Sequence, residues 1–198
     1  MKGVHIFLAD GFEDVEALAT FDVLKRGGVD VKLVGVGDDP FVVSSHGITV
    51  GVENTLREMI AFGTGQGAGM SHRCTDSRDV MIFPGGMPGS KNLASNRELV
   101  RLMKEHYAAG GTLAAICAAP GLVLGQLDGL EGVHFTCFDG FEDGPLAKGA
   151  VFDPQPAVRC GRIITGRSAG HAIAFALEIL GALKGADAVE KVKYAMFL

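Results

Sequence analysis

The chain has 198 residues, of which 47% are hydrophobic and 21% are charged, and its formal net charge is −5. This length suits one full-sized domain with a substantial core, so we interpret residues 1–198 as a single domain. The acidic charge and the lack of a basic run argue against a nucleic-acid partner. No apolar stretch reaches the roughly 18 residues of a membrane span, so we expect no membrane partner either.

The first elements along the chain form a β-α-β unit. The apolar run Val4–Ala9 predicts a strand, Val15–Arg26 carries apolar residues at helical spacing, and Val31–Val36 predicts a second strand. Gly27 and the glycine after it end the helix. A crossover of this kind is right-handed and joins parallel strands.

The next part of the chain is less regular. Val42–Val50 indicates a short extended pair, and within residues 53–77 the run Gly63–Gly69 has too much glycine for a helix or strand. We interpret that run as a surface loop. Its spaced glycines are not typical of a phosphate loop, because no Lys-Ser/Thr follows and no strand precedes them.

Strands and helices alternate in the second half. The patterns predict strands over Asp79–Phe83 and Thr112–Ile116, helices over Asn96–Ala109, Ser168–Leu180 and Ala186–Phe197, and a hairpin from Val158–Cys160 and Arg162–Thr165. This order predicts an α/β fold, a three-layer α/β/α sandwich with a mostly parallel sheet. Sites in such sheets form where strands end, which here singles out the loops Asp10–Glu16, Pro84–Gly89 and Cys117–Pro120.

Cys117 follows one of these buried strands, and Pro120 lies in the first turn of the next helix. Backbone N–H groups and the positive end of a helix dipole at such an elbow favour a thiolate. The arrangement is similar to the nucleophile elbow of α/β hydrolases. A lone cysteine also serves as a small buried hydrophobe, and on position alone both interpretations stay open.

The four cysteines and six histidines show no metal-binding spacing. There is no C-x-x-C pair, no i, i+4 histidine pair and no carboxylate triad, so we expect no metal. A reducing cytoplasm is the simplest location, although a disulfide between some pair stays open. The cysteines are Cys74, Cys117, Cys137 and Cys160.

Three motifs together point to a family. Ala9–Glu16, Phe83–Gly86 and Ala115–Pro120, in this order and spacing, resemble the ThiJ/PfpI superfamily, and in particular the branch of the Parkinson-disease protein deglycase. The likeness continues through Ile164–Gly170 and covers the chain apart from roughly residues 60–78 and 138–149. It implies a flavodoxin-like fold, similar to class I glutamine amidotransferases, with no cofactor and with a homodimer as the assembly.

The resemblance also implies an active site. It places the nucleophile on Cys117, its partner carboxyl on Glu16, and an oxyanion site on the backbone N–H groups of Gly86 and Ala118, with Gly85 letting the backbone approach substrate. Burial would raise the pKa of Glu16, and the protonated acid could donate a hydrogen bond to the thiolate and move a proton. The alternatives are a solvated acid at a helix start and an ordinary glycine turn.

The chain departs from the superfamily pattern at several positions. The peptidase-like branch has a histidine where this chain has Ala118, and the deglycase branch often has an arginine at His46 and a histidine at Phe138. His46 is a candidate substrate-binding residue, an interface residue or a surface histidine. Arg26 matches an arginine that approaches the neighbouring subunit's site in relatives, or it is a solvated cation at a helix end.

The resemblance therefore implies a glyoxalase or deglycase without a cofactor. Its substrates would be small α-oxoaldehydes such as methylglyoxal, or their early adducts, attacked by Cys117. The alternative is a redox-responsive stress or chaperone-like protein that senses oxidants through the same cysteine. A cysteine peptidase or an enzyme of thiamin metabolism is a third possibility, which Ala118 disfavours because the peptidase base is missing.

Overall fold

The computed structural model describes residues 1–64 and 75–198. Its strands, in chain order, are β1 (Val4–Leu8), β2 (Val31–Gly35), β3 (Phe41–Val43), β4 (Thr49–Gly51), β5 (Asn54–Thr55), β6 (Val80–Phe83), β7 (Thr112–Ile116), β8 (His134–Phe135), β9 (Val151–Phe152), β10 (Ala157–Cys160) and β11 (Ile163–Gly166). Its α-helices are α1 (Asp14–Arg26), α2 (Leu56–Thr64), α3 (Gly89–Ser95), α4 (Arg97–Ala108), α5 (Ala119–Leu122), α6 (Asp143–Leu146), α7 (Ala172–Lys184) and α8 (Ala186–Met196).

Seven of these strands form one sheet in the order β10-β11-β7-β6-β1-β2-β5. Every neighbouring pair is parallel except the hairpin of β10 and β11. The strands β3 and β4 form a separate antiparallel ribbon, and β8 pairs with β9. The sequence-based expectations of a mostly parallel sheet, of the extended pair and of the hairpin are confirmed.

Side chains of the central strands alternate between two cores, as the period of a strand requires. In β1, Ile6 and Leu8 pack in the core that α1, α7 and α8 cover, whereas Phe7 packs on the opposite face, which α2, α3 and α4 cover. All five residues of β1 and of β7 are buried. Helices on both faces explain why these strands are continuous apolar runs, and they make the molecule a three-layer α/β/α sandwich.

The predicted surface loop needs a correction at its start. Gly63 and Thr64 belong to the end of α2, and the rest of the Gly63–Gly69 run lies outside the described residues. So do His72 and Cys74. The helix was missed because glycine suggests a break, whereas Leu56 and its neighbours supply an apolar face that packs under the sheet. The short elements α3, α6, β8 and β9 were not predicted either.

The order of the strands determines which edge of the sheet carries the candidate site. The chain passes from β1 to β2 on one side, and then β6 and β7 extend the sheet on the other side of β1. Loops that leave β1 and β6 in opposite directions open a crevice at the carboxyl ends of these strands. The segments after β1, β6 and β7 therefore meet at one edge of the sheet. No helix among the described residues is long and apolar enough to span a membrane.

Candidate active site

Cys117 lies at a sharp turn between β7 and α5. Its φ is +66°, a left-handed conformation that costs an L-residue roughly 1–2 kcal/mol. Two backbone hydrogen bonds hold the turn: Cys117 N–H donates to Gly166 O at 3.0 Å, and Cys117 O accepts from Phe138 N–H at 2.8 Å. The residue is partly exposed, so the elbow presents its thiol at the crevice.

Two glycines after β6 allow the backbone to approach this thiol. A Cβ atom at Gly85 would lie 2.6 Å from Cys117 Cβ and 2.5 Å from Glu16 Oε2, so no other residue fits there. Gly86 has φ of +90°, and a Cβ atom there would lie 2.4 Å from Glu13 N. The Gly85-Gly86 pair is therefore required by space and by conformation, which an ordinary turn does not demand.

Glu16 lies in the first turn of α1 and is only 1% exposed. The helix begins there because Glu13 caps it, accepting a hydrogen bond from Glu16 N–H at 2.7 Å. The side chain of Glu16 turns inward, where Oε2 accepts from Gly85 N–H at 2.7 Å. Its Oε1 receives no N–H or O–H hydrogen bond from the described residues, and the group that the carboxyl faces is the Cys117 thiol.

Burial governs the protonation of both groups. It raises the pKa of Glu16 from its ordinary 4.5 to about 7, against the lowering effect of hydrogen bonds with Cys117 and Gly85. Burial also raises the pKa of the Cys117 thiol to about 12, the Glu16 carboxylate adds to this rise, and N–H groups of Ala118 and Gly86 oppose it. The N–H groups of the elbow act in the expected direction, but burial and the carboxylate, which the sequence analysis did not weigh for the thiol, outweigh them.

The two groups titrate as a coupled pair, so the protonation of each depends on that of the other. While Glu16 is ionised, its charge keeps the proton on the sulfur. Once Glu16 takes that proton, the carboxylate charge is gone and the acid becomes a donor to the sulfur. The N–H groups of Gly86 and Ala118 also face this sulfur. The site thus has the parts needed to hold a thiolate beside a carboxylic acid.

The histidine of the predicted site, His46, lies at the rim, in the turn between β3 and β4. Its Nδ1 makes a short hydrogen bond with Asp14 Oδ2, and its side chain is 68% exposed. Asp14 raises the pKa of His46. This pairing, at the start of the same helix that carries Glu16, was not predicted.

Arg26 is not brought to the site within one chain. It lies in the last turn of α1, where its Nε donates to Asp22 at 2.6 Å in an exposed i, i+4 pair. Ten residues of helix separate it from Glu16, or about 15 Å at 1.5 Å per residue. A role at the neighbouring subunit's site stays a prediction.

Three contacts of the site escaped the sequence analysis, which named Phe138 only as a departure from the family pattern. Glu13 caps the helix, Asp14 binds His46, and Phe138 holds the elbow through its backbone. Acidic residues before an apolar helical run indicate a cap, so Glu13 could have been found. The pairing with His46 spans 32 residues of sequence and leaves no local signal. Among the described residues, Glu13, Asp14 and His46 form one group of possible metal ligands.

Comparison with known proteins agrees with this architecture. The profile of the DJ-1/PfpI family matches residues 2–182. The chain belongs to the DJ-1/PfpI family. The superfamily expected from the three motifs is thereby confirmed.

Named relatives include "Protein DJ-1 homolog A" of Arabidopsis thaliana, 32% identical over 198 residues, which are 100% of this chain and 47% of that protein. The chain spans about half or less of the length of the two plant relatives, the second being covered to 40%. It also matches the "Glutathione-independent glyoxalase DJR-1.2" of Caenorhabditis elegans, 29% identical over 175 residues, which are 88% of this chain and 84% of that protein.

Solved structures share the fold. A mutant of a DJ-1 superfamily protein from Salmonella typhimurium is 32% identical and superposes with a TM-score of 0.83, over 100% of this chain and 98% of that one. Oxidized DJ-1 from Toxoplasma gondii is 25% identical, with a TM-score of 0.84 over 100% of this chain and 98% of that one.

Proposed function

We propose that the protein is a glyoxalase without a cofactor, which converts small α-oxoaldehydes such as methylglyoxal to the 2-hydroxy acid through Cys117 and Glu16. The observation that carries the proposal is the buried Glu16 carboxyl, with its raised pKa, facing the Cys117 thiol. A relative named as a glutathione-independent glyoxalase supports it. Release of the same aldehydes from early glycation adducts is a variant of this proposal.

The first step is addition. With the shared proton on Glu16, the Cys117 sulfur forms a C–S bond to the aldehyde carbon, and the carbonyl electron pair moves to oxygen. Glu16 gives its proton to that oxygen, which yields a hemithioacetal. Backbone N–H groups of Gly86 and Ala118, which face the sulfur, are positioned to stabilise the negative charge as it passes from sulfur to oxygen.

The second step is proton transfer between two carbons. Glu16, now a carboxylate, removes the proton from the former aldehyde carbon, which gives an enediolate. Glu16 returns this proton to the adjacent carbon, and the hydroxyl proton of the first carbon moves to the second oxygen. The product is a lactoyl thioester on Cys117. Water then cleaves its C–S bond, releasing lactate and restoring the shared proton. One methylglyoxal and one water give one lactate and one released proton, so no external oxidant or reductant is needed.

Lactate formation from methylglyoxal tests the proposal. Cys117→Ser and Glu16→Gln should each lower the rate at least about 100-fold, the usual size of a nucleophile or general acid–base effect. Cys160→Ser is the matched control, because Cys160 is a partly exposed cysteine in β10, outside the crevice, and should keep the rate. Wild-type lactate formation by Cys117→Ser would refute the proposal.

A second candidate function has its own supporting observation. The same thiol is partly exposed and faces two backbone N–H groups, which could hold the oxygens of a sulfinate. In this reading the protein responds to oxidants, and the oxidised Toxoplasma gondii relative fits it. Intact-mass spectrometry after mild peroxide should show two added oxygens confined to Cys117. Equal oxidation of buried Cys137 would argue against it.

The homodimer implied by the sequence resemblance is part of the glyoxalase proposal, since it is the assembly in which Arg26 would approach the neighbouring subunit's site. Sedimentation equilibrium should give twice the mass of the chain. If the protein is a dimer, Arg26→Ala should weaken substrate binding and leave the Cys117 thiol reactive toward alkylating agents. A monomeric mass would exclude a role for Arg26 at a neighbouring subunit's site.

A further inference from the structure

We propose that Glu13, Asp14 and His46 form a binding site for a divalent transition metal ion of the zinc class, beside the Cys117–Glu16 pair and separate from it. Each residue offers one ligand atom, and these atoms all lie within 4.8 Å of one another. Ligands about 2.0–2.2 Å from one ion lie within about 4.4 Å of each other, so small side-chain rotations complete the shell.

Asp14 supplies the observation that points to a ligand. The residue is 7% exposed, and its Oδ1 is buried without a hydrogen-bond partner among the described residues. An unpaired buried carboxylate oxygen is costly. Its other oxygen, Oδ2, faces His46 Nδ1, and the carboxyl also interacts with the Ser44 side chain, so the unpaired atom belongs to a carboxylate that contacts the turn carrying His46.

The backbone holds the three ligands in place. Glu13 is fixed as the cap of α1 by the hydrogen bond from Glu16 N–H. The turn that carries His46 is fixed by Ser44, whose Oγ accepts from His46 N–H at 3.2 Å and from Ile48 N–H at 3.0 Å. That turn is joined to the start of α1 because Ser45 N–H donates to Phe12 O at 2.8 Å. Such preorganisation favours metal binding.

The donor set selects the class of ion. One imidazole nitrogen with two carboxylate oxygens suits zinc and similar transition ions better than magnesium or calcium, which prefer oxygen ligands alone. The positive end of α1 opposes a cation with roughly half a charge, but two carboxylates outweigh it. Three protein ligands leave the fourth position of a tetrahedral ion open, and the 68% exposed side chain of His46 leaves access from solvent.

Zinc binding, measured by isothermal titration calorimetry, tests the site. Cys117→Ser is the parent protein, because the thiol and Glu16 could bind zinc by themselves. We expect one zinc per chain in this parent. Adding His46→Ala or Asp14→Asn should weaken binding at least about 10-fold, the loss that even outer-shell partners of a metal site cause. Magnesium in excess should not displace the zinc.

The matched control is His134→Ala in the same parent, because His134 is an exposed histidine at the start of β8. It should keep the affinity. Cobalt in place of zinc gives a second readout: the parent should show visible d–d absorption without a sulfur-to-metal charge-transfer band, and His46→Ala should lose it. The site is refuted if Cys117→Ser abolishes binding, if His46→Ala binds zinc as the parent does, or if His134→Ala loses as much.

Discussion

Two carboxyl groups in the first turn of α1, Asp14 and Glu16, are both buried but differ in protonation. Burial acts to raise the pKa of Asp14, but hydrogen bonds from Ser44 and His46 outweigh it and leave that pKa lowered. Burial raises the pKa of Glu16 to about 7, because one backbone N–H and a thiol do not offset it. The number of donors around a buried carboxyl, and not burial alone, decides whether it holds charge or a proton.

Because of this difference, the two carboxyl groups in the same helix turn have different roles. The Asp14 side keeps a negative charge at the rim, where His46 or a cation can meet it. The Glu16 side keeps a proton at the thiol, where acid–base chemistry needs one. Two residues of sequence are enough for this division because the first side chain turns toward the β3–β4 ribbon and the second toward the ends of β6 and β7.

The largest expected effect on stability and activity comes from adding a side chain at Gly85, which would fill the space between Glu16 and Cys117. In Gly85→Ala the new Cβ would lie 2.5 Å from Glu16 Oε2 and 2.6 Å from Cys117 Cβ. We expect the free energy of unfolding to fall by roughly 2–4 kcal/mol and lactate formation to be lost. Gly170→Ala is the control, because nothing lies within 4 Å of its Cβ position. Equal stability of the two variants would contradict the tight packing.

A smaller effect is expected from making Glu16 neutral. Because its pKa is raised in the fold, its contribution to stability is fully present below its ordinary 4.5 and is lost as the pH rises through about 7. Glu16→Gln should therefore gain up to about 3 kcal/mol in unfolding free energy over the wild type above neutral pH. Denaturant titrations across the pH range measure this. Glu178→Gln, an exposed change on α7, should show no such gain.

The smallest effect is expected on the Asp14 side. Asp14 raises the pKa of His46, so the stabilisation by this pair is present below the ordinary 6.5 and is lost as the pH rises through the raised value. His46→Ala should lower the melting temperature at mildly acidic pH, less so in alkaline buffer, and less in high salt. A loss that does not depend on pH would mean that His46 acts by packing.

The same comparison shows what the sequence could predict. Thr112–Ile116, Cys117 and the raised pKa of Glu16 followed from an apolar run, an elbow and three motifs, all local or carried by family resemblance. The partnership of Asp14 with His46 depends on the β3–β4 ribbon packing against the start of α1, which no local pattern encodes. The direction of the thiol pKa was missed for the same reason: it depends on which groups the fold buries together.

The central claim is that Glu16 keeps a proton near neutral pH beside Cys117. Nuclear magnetic resonance of carbon-13-labelled glutamate carboxyls tests it most directly, with the Glu16 signal assigned by its loss in Glu16→Gln. We expect its titration midpoint at about 7 in the wild type, and still well above 4.5 in Cys117→Ser, because burial is the main cause. A midpoint near 4.5 in the wild type would contradict the account.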